Sequence, residues 1–436
     1  MSLSQSDSPD SPGRPGKTRL RLPWLALAGD LARGRAPGQA VIQYTDRCNA
    51  SCGQCGMRRQ NPEPRGHLGV ARAGALIERL AARGVRAISL TGGEPLLYLD
   101  DIVTLAGLAR RAGVASVRTS TNGFIFQEHA RPGFADKIAD TAARLRHGGV
   151  NAFWISLDSP EPSVHERNRG LPGVVEGIAK GLPIFHGQGL YPAVNLGLGR
   201  LVGGDTPLRA EAGEDVAAFA ARCERALSRF FAFALELGFT TANVCYPMRD
   251  TGPPGYAPVY AAADGGETMD FSAQETAALL AALDRVIGAF RGRLRIFAPR
   301  SSILALLDRH ENGRRRGYGC LGGRDFVFVD AQHMRLYPCG YRGDEPMDDF
   351  PVGRARGLGR DTDCDLCDWE CFRDPSNLFG PLLALRRSPV RGLRRLLADP
   401  GWAGAWLEDL AYFRACGWFD ATRPPEPDRL ARFRRQ

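Results

Sequence analysis

Cys48, Cys52 and Cys55 lie in the run Thr45-Asp46-Arg47-Cys48-Asn49-Ala50-Ser51-Cys52-Gly53-Gln54-Cys55-Gly56, where C-x3-C-x2-C spacing lets three sulfurs on one loop face a single centre. Thiolates are soft ligands that favour zinc, Cu(I) or iron–sulfur clusters. A structural zinc ion takes four ligands, mostly Cys and His. The next His is His67, beyond a Pro-rich turn, and the next Cys is Cys223. Three ligands with no local fourth suggest a cluster with one open coordination position. Three unrelated neighbouring thiols are the plainer alternative. The spacing, directly after the apolar run Ala40-Val41-Ile42-Gln43-Tyr44, argues against it.

Two further groups carry chemistry. In Thr91-Gly92-Gly93-Glu94-Pro95, paired glycines let the backbone approach a ligand, and Glu94 can accept hydrogen bonds from an ammonium group; alone, the run is equally a tight turn. Further on, Cys320 and Cys339 flank a hairpin pattern through Phe326–Asp330 and Met334–Pro338, and Cys364, Cys367 and Cys371 follow as C-x2-C-x3-C. Five thiolates are enough to close four around one centre, and a zinc ribbon has similar spacing. Cys223, in a helical context, and Cys416 read as structural, although Cys416 is a spare donor for this group. Cys245 reads as a small buried hydrophobe.

The elements that position these residues alternate. Strand-like runs at Val41–Thr45, Ala87–Thr91, Ser116–Ser120, Phe153–Leu157, Ala193–Leu198 and Thr241–Tyr246 are interleaved with helical patterns, such as those at 73–80, 101–108 and 214–237. Ser272-Ala273-Gln274-Glu275 is a capping box with Phe271 as its hydrophobic staple, opening a helix to about Phe290. The fold class is α/β: a partial (β/α)6 TIM-type barrel with a small C-terminal cysteine-rich β-hairpin and helical module. Chemistry in such barrels sits at the carboxyl ends of the strands. There the chain places Ser120-Thr121-Asn122-Gly123, Ser156-Leu157-Asp158-Ser159 followed by His165-Glu166-Arg167-Asn168-Arg169-Gly170, and Asn195 through Arg200. Taken singly, each run also serves as a strand or helix cap.

Taken together, the cysteine loop, the Gly-Gly-Glu-Pro turn about 40 residues later and these strand ends resemble the radical S-adenosylmethionine (SAM) enzymes. The resemblance runs from Val41 to Cys371. It implies that Cys48, Cys52 and Cys55 hold three irons of a [4Fe-4S] cluster whose fourth iron binds SAM. It implies also that Gly92, Gly93 and Glu94 grip the methionyl ammonium, that Asn122 or Ser156 lies near the ribose, and that Asn195 or Arg200 lies near the carboxylate. Many members carry an aromatic residue before the third cysteine, where this chain has Gln54. The second cysteine group resembles the SPASM and Twitch auxiliary-cluster domains of the same family. That implies one auxiliary [4Fe-4S] cluster on Cys320, Cys339 and two of Cys364, Cys367 and Cys371.

The implied activity is that of a radical SAM oxidoreductase. SAM is cleaved reductively to a 5′-deoxyadenosyl radical, which takes hydrogen from a substrate, with electrons from a donor such as flavodoxin or ferredoxin. A small alcohol or amino sugar is the first expected substrate, and a peptide, as for a maturase, is the second. The reading from another class is a zinc-stabilised scaffold or nucleic-acid-binding protein. No basic stretch is interleaved with stacking aromatics, so nucleic acid is not expected.

The chain has 436 residues, 44% hydrophobic, and a net charge of +9 in which 57 Lys and Arg are scattered against 48 Asp and Glu. We expect four parts: an irregular leader (1–38), the barrel (39–300), the auxiliary module (301–375) and a helical extension (376–436). Residues 1–20 are polar, without a signal-peptide core, and no run reaches the 18 apolar residues of a membrane span. Cysteines in such a chain point to a reducing, cytoplasmic setting. In the tail, Trp402, Trp406, Leu410 and Phe413 recur at helical spacing, the mark of a packed face or of a docking surface.

Overall fold

The structure is a computed structural model describing residues 24–55, 64–247, 259, 268–347, 364–365 and 367–435. The polar leader 1–20 and Gly56 lie outside the described residues. Within the expected irregular leader, Trp24–Ala32 forms helix α1, a correction that follows from its Ala and Leu residues, good helix formers that outweigh Gly29.

Seven parallel strands follow in order: β1 (Gly38–Thr45), β2 (Val85–Gly92), β3 (Ser116–Thr121), β4 (Ala152–Leu157), β5 (Ala193–Gly197), β6 (Thr241–Cys245) and β7 (Arg295–Phe297). Between them run helices α2 (Val70–Ala82), α3 (Leu99–Arg111), α4 (Phe134–Gly148), α5 (Pro162–Arg169), α6 (Val174–Gly187), α7 (Val216–Glu236) and α8 (Ala273–Phe290). The barrel is therefore partial and unclosed, with one strand more than the sequence pattern predicts. The three residues of β7 are too short for periodicity to register. Helix α8 opens with both reciprocal bonds of the Ser272/Glu275 capping box.

Alternation along the strands divides helix side from interior. On β3 and β4 the buried residues Val117, Thr119, Phe153 and Ile155 lie between their partly buried neighbours Arg118, Ser120, Trp154 and Ser156, which line a central cavity. The main apolar core is built from the helix-facing set, including Ile42, Ile88, Val117, Ile155 and Val194, packed on Leu76, Leu105, Ile138 and Ile178.

After α9 (Arg300–Asn312), strand β8 (Phe326–Val329) pairs parallel with β1 and antiparallel with β9 (Leu336–Tyr337). The hairpin thus extends the barrel's own sheet rather than forming a sheet of its own. Helix α10 (Glu370–Arg387) lines the central cavity with its first half. Gln39 on β1 donates its side-chain amide to the Cys371 carbonyl at 2.9 Å, and Asn377 donates to Ser302 Oγ on α9 at 3.2 Å. Helices α11 (Pro389–Ala398), α12 (Pro400–Ala415) and α13 (Pro427–Ala431) complete the tail. Trp402, Trp406 and Phe413 are buried, and the two indoles donate to the carbonyls of Ser301 and Leu378, each at 2.9 Å, so the aromatic stripe is core. Among the described residues no helix is long and apolar enough to cross a membrane.

Candidate active site and cysteine centres

The cysteine loop leaves the carboxyl end of β1 and is clamped to the Gly-Gly-Glu turn. Gly93 N–H donates to the Thr45 carbonyl and Glu94 N–H to the Arg47 carbonyl, both at 2.8 Å. A Cβ on Gly92, whose φ is 131°, would lie 1.9 Å from Thr45 O, and one on Gly93 would lie 2.1 Å from Arg47 O. Only glycine permits that approach. The Glu94 carboxylate is fully buried and accepts the N–H groups of Leu96 at 2.9 Å and Asn122 at 2.6 Å. Burial raises its pKa to about 7 against those bonds. A carboxylate has about four lone-pair sites, so capacity remains for a donor in the cavity.

The loop is fastened on its other side as well. Asn122 Nδ2 donates to Asn49 Oδ1 at 2.8 Å and approaches Cys48 Sγ at 3.6 Å. Ser51 N–H donates to the Arg169 carbonyl at 2.9 Å. Arg169 grips Asp158 through both carboxylate oxygens at 2.8 and 2.6 Å. Burial raises the Cys52 thiol to about 11, although the Arg169 cation pulls it down. Loading a metal therefore releases protons from these thiols.

All three cysteines line a cavity of about 440 Å³ running through the barrel. Gly92, Gly93, Glu94, Asn122, Ser156 and Asn195 line it too, so the structure brings together six of the seven expected SAM contacts. Arg200 is the exception and is corrected. It is buried outside the cavity lining, donates to Glu275 Oε1 at 2.8 Å and Oε2 at 3.0 Å, and bonds the carbonyls of Leu208 and Asp270. A buried cation takes the nearest carboxylate, and the capping-box glutamate supplies it.

The second cysteine group divides. Cys320, Cys339, Cys364 and Cys367 surround one small void with Trp369, Phe372 and Arg373. Cys320 N–H donates to the Cys364 carbonyl at 2.8 Å, joining two distant segments. Cys371 is absent from this cage, which corrects it as a candidate ligand. Four residues after Cys367 the chain has entered α10, whose first turn rotates Cys371 toward the central cavity. Cys245 also lines that cavity, with its thiol 3.4 Å from Asn195 Oδ1, so it is not simply a buried hydrophobe. Cys223 and Cys416 are buried in apolar clusters.

The donor chemistry fits iron–sulfur centres at both places. Backbone N–H groups point at sulfur from two residues on: Ala50 to Cys48, Gly322 to Cys320 and Tyr341 to Cys339, each at 3.4 Å. Such bonds favour the thiolate and tune a bound cluster. Among the described residues no three Cys, His, Asp or Glu side chains converge as on a single ion. In a four-iron cluster each thiolate takes its own iron, so its sulfurs stand apart. Trp369 lines both the four-cysteine cage and the cavity, making it a wall shared by the two.

Sequence reasoning left Asn168, Arg169, Arg118, Trp369 and Glu370 without roles. The first two were visible as a polar run after β4. Arg118 had one signal, a cation on the face of β3 that otherwise carries Ser116 and Ser120, alternating with the buried Val117, Thr119 and Thr121.

A parallel partial barrel carrying a three-cysteine loop beyond its first strand defines a cluster-binding enzyme scaffold. The Radical SAM superfamily profile matches residues 42–204, so this stretch is a radical SAM domain, which in that superfamily binds a [4Fe-4S] cluster and SAM. The chain spans less than half the length of the first curated relatives it matches. It is 30% identical over 191 residues to Molybdenum cofactor biosynthesis protein 1 of Mus musculus, a match covering 40% of this chain and 28% of that protein. It is 25% identical over 318 residues to the AdoMet-dependent heme synthase of Methanosarcina barkeri, covering 71% of this chain and 79% of that enzyme. Among solved structures, Streptococcus suis SuiB bound to precursor peptide SuiA aligns with a TM-score of 0.47 at 14% identity, over 84% of this chain and 77% of that one.

Proposed function

We propose that this chain is a radical SAM oxidoreductase acting on a small alcohol or amino sugar, with a second cluster in the four-cysteine cage. The observation that carries the proposal is the clamp between the Gly92-Gly93-Glu94 turn and the cysteine loop, both opening on one cavity. When bound, the reduced [4Fe-4S] cluster supplies the electron that splits SAM into methionine and a 5′-deoxyadenosyl radical, which takes a hydrogen atom from the substrate.

The protein's own residues hold and orient. Cys48, Cys52 and Cys55 present their sulfurs to one rim of the cavity. Glu94 and the glycine backbone receive the methionyl ammonium, while Asn122, Ser156 and Asn195 offer amide and hydroxyl groups to the nucleoside and carboxylate. Helix α10 and the tail aromatics Phe413, Trp418 and Phe419 line the chamber with apolar surface. Cys320, Cys339, Cys364 and Cys367 would hold an auxiliary cluster behind Trp369, the wall shared with the chamber, and that cluster would supply an acceptor for the second electron of an alcohol oxidation. Flavodoxin or ferredoxin supplies the first electron.

Carbinol-deuterated alcohols and amino sugars, incubated anaerobically with SAM and dithionite, test this reading. Deuterium appearing in 5′-deoxyadenosine together with a carbonyl product is expected. Deoxyadenosine free of deuterium across such a panel, with deuterium transfer from a peptide instead, would overturn the substrate class.

A further inference from the structure

We propose that Arg118 is an oxyanion-binding residue of the central chamber, and that the substrate carries a carboxylate or phosphate group. The inference rests on the reading of this cavity as the substrate's chamber.

The other well-buried arginines show what this chain does with an interior cation. Arg169 pairs with Asp158 at 2.6 Å, Arg200 with Glu275 at 2.8 Å, Arg291 with Asp409 at 2.8 Å and Arg300 with Asp284 at 2.6 Å, while Arg295 gives its terminal nitrogens to the Arg423 carbonyl at 3.0 Å and the Thr240 hydroxyl at 3.1 Å. Arg118 departs from that pattern. Its Nε donates to Ser116 Oγ at 3.2 Å, and its guanidinium carbon lies 5.9 Å from the centre of the Phe297 ring. Among the described residues, no carboxylate or carbonyl bonds its two terminal nitrogens. Both Glu370 and Asp374 line the same cavity from α10, yet neither pairs with it. Burial lowers its pKa, as expected for a cation short of counter-charge.

An interior cation serving only the fold would have its terminal nitrogens bonded by protein carboxylates, carbonyls or hydroxyls, as those five do, because an unmatched buried charge is costly. The exposed fork of Arg118 instead presents two parallel N–H donors, the geometry that meets carboxylate or phosphate. Its place on β3 gives the ligand a direction. Arg118 lies four residues before Asn122, about 13 Å deeper along the strand than the rim that carries the SAM contacts. An oxyanion held there would leave the adjoining carbons of the substrate beneath that rim. Ser89, Ser116 and Ser120 line the cavity too and can add hydroxyl donors.

Arginine labelling with phenylglyoxal, followed by peptide mass mapping on the full chain, tests this directly. The probes are succinate, inorganic phosphate and the neutral analogue butane-1,4-diol. Arg118 is expected to label faster than the ion-paired Arg169 and Arg200. Succinate or phosphate should slow its labelling by roughly tenfold, the scale of one charge-assisted pair, while the diol leaves it unchanged. Protection by succinate alone identifies a carboxylate ligand, and protection by phosphate alone a phosphate. Labelling at one rate whatever the anion, or none at Arg118 while surface arginines react, would overturn the proposal. The measurement needs no turnover, so failure of the radical chemistry would refute the proposed function and leave this result standing.

Discussion

Asn168 donates its side-chain amide to Gln54 Oε1 at 2.9 Å and to Asp158 Oδ2 at 2.9 Å. The residue preceding the third cysteine is thereby tied to the carboxylate that Arg169 also grips, so the cysteine loop and the start of the β4–α5 connection behave as one unit. Gln54, which replaces the aromatic residue common in the family, is held by an amide network in place of ring packing. Asn168→Ala should cost only about 1 kcal/mol of global stability, the net worth of a typical hydrogen bond. Iron retention at the first centre should nevertheless fall during gel filtration of the reconstituted protein. Retention equal to wild type would show that the loop is held by the backbone contacts alone.

Gly93→Ala tests the clamp. Its new Cβ would start 2.1 Å from the Arg47 carbonyl, which is backbone and cannot swing away as a side chain can. Destabilisation of more than about 2 kcal/mol is expected, together with loss of SAM cleavage. Unchanged melting with normal deoxyadenosine formation would mean that the turn does not position SAM.

The cage makes a sharper forecast than the cysteine spacing did. Cys364→Ala should lower bound iron by about four per chain, because it removes one of the four cysteines that surround the void. Cys371→Ala should leave the count unchanged, since that thiol faces the central cavity. Equal iron loss in both variants would return Cys371 to the ligand set.

Arg200 and Glu275 form a structural pair, and their titration has a definite sign. Burial raises the Glu275 carboxyl, but Arg200 and the N–H groups of Ala210 and Ser272 outweigh it and bring the pKa from the ordinary 4.5 down to about 2. A carboxyl with a lowered folded-state pKa contributes stability that is complete above pH 4.5 and is lost as pH falls toward 2. Chemical denaturation across that window should show a shallower slope for Glu275→Gln than for wild type. Breaking the buried pair by Arg200→Met should cost about 3–5 kcal/mol. An identical pH slope in the Gln variant would remove Glu275 from the linkage.

Much of this was legible because local signals agreed. Most of the six longer strands announced themselves as apolar or alternating runs between helical patterns, and the Ser272 cap with its Phe271 staple marked the start of α8. Glycines at 92 and 93 implied a close backbone approach, and the structure supplies it at Thr45 and Arg47. The rest depended on tertiary geometry. Spacing alone could not choose between Cys367 and Cys371, because the choice turns on where α10 begins and which way its first turn rotates. Arg200 looked like a rim cation in sequence because its partner Glu275 lies 75 positions away. The pairing of β8 with β1 links residues nearly 290 apart, beyond the reach of any local pattern.

The central claim is a radical enzyme with two iron–sulfur centres, and an iron and sulfide count on anaerobically purified protein tests it most directly. It should be paired with a search for 5′-deoxyadenosine after dithionite and SAM are added. About eight irons per chain, with deoxyadenosine formed, is the predicted result. Zinc in place of iron, with SAM left intact, would contradict it.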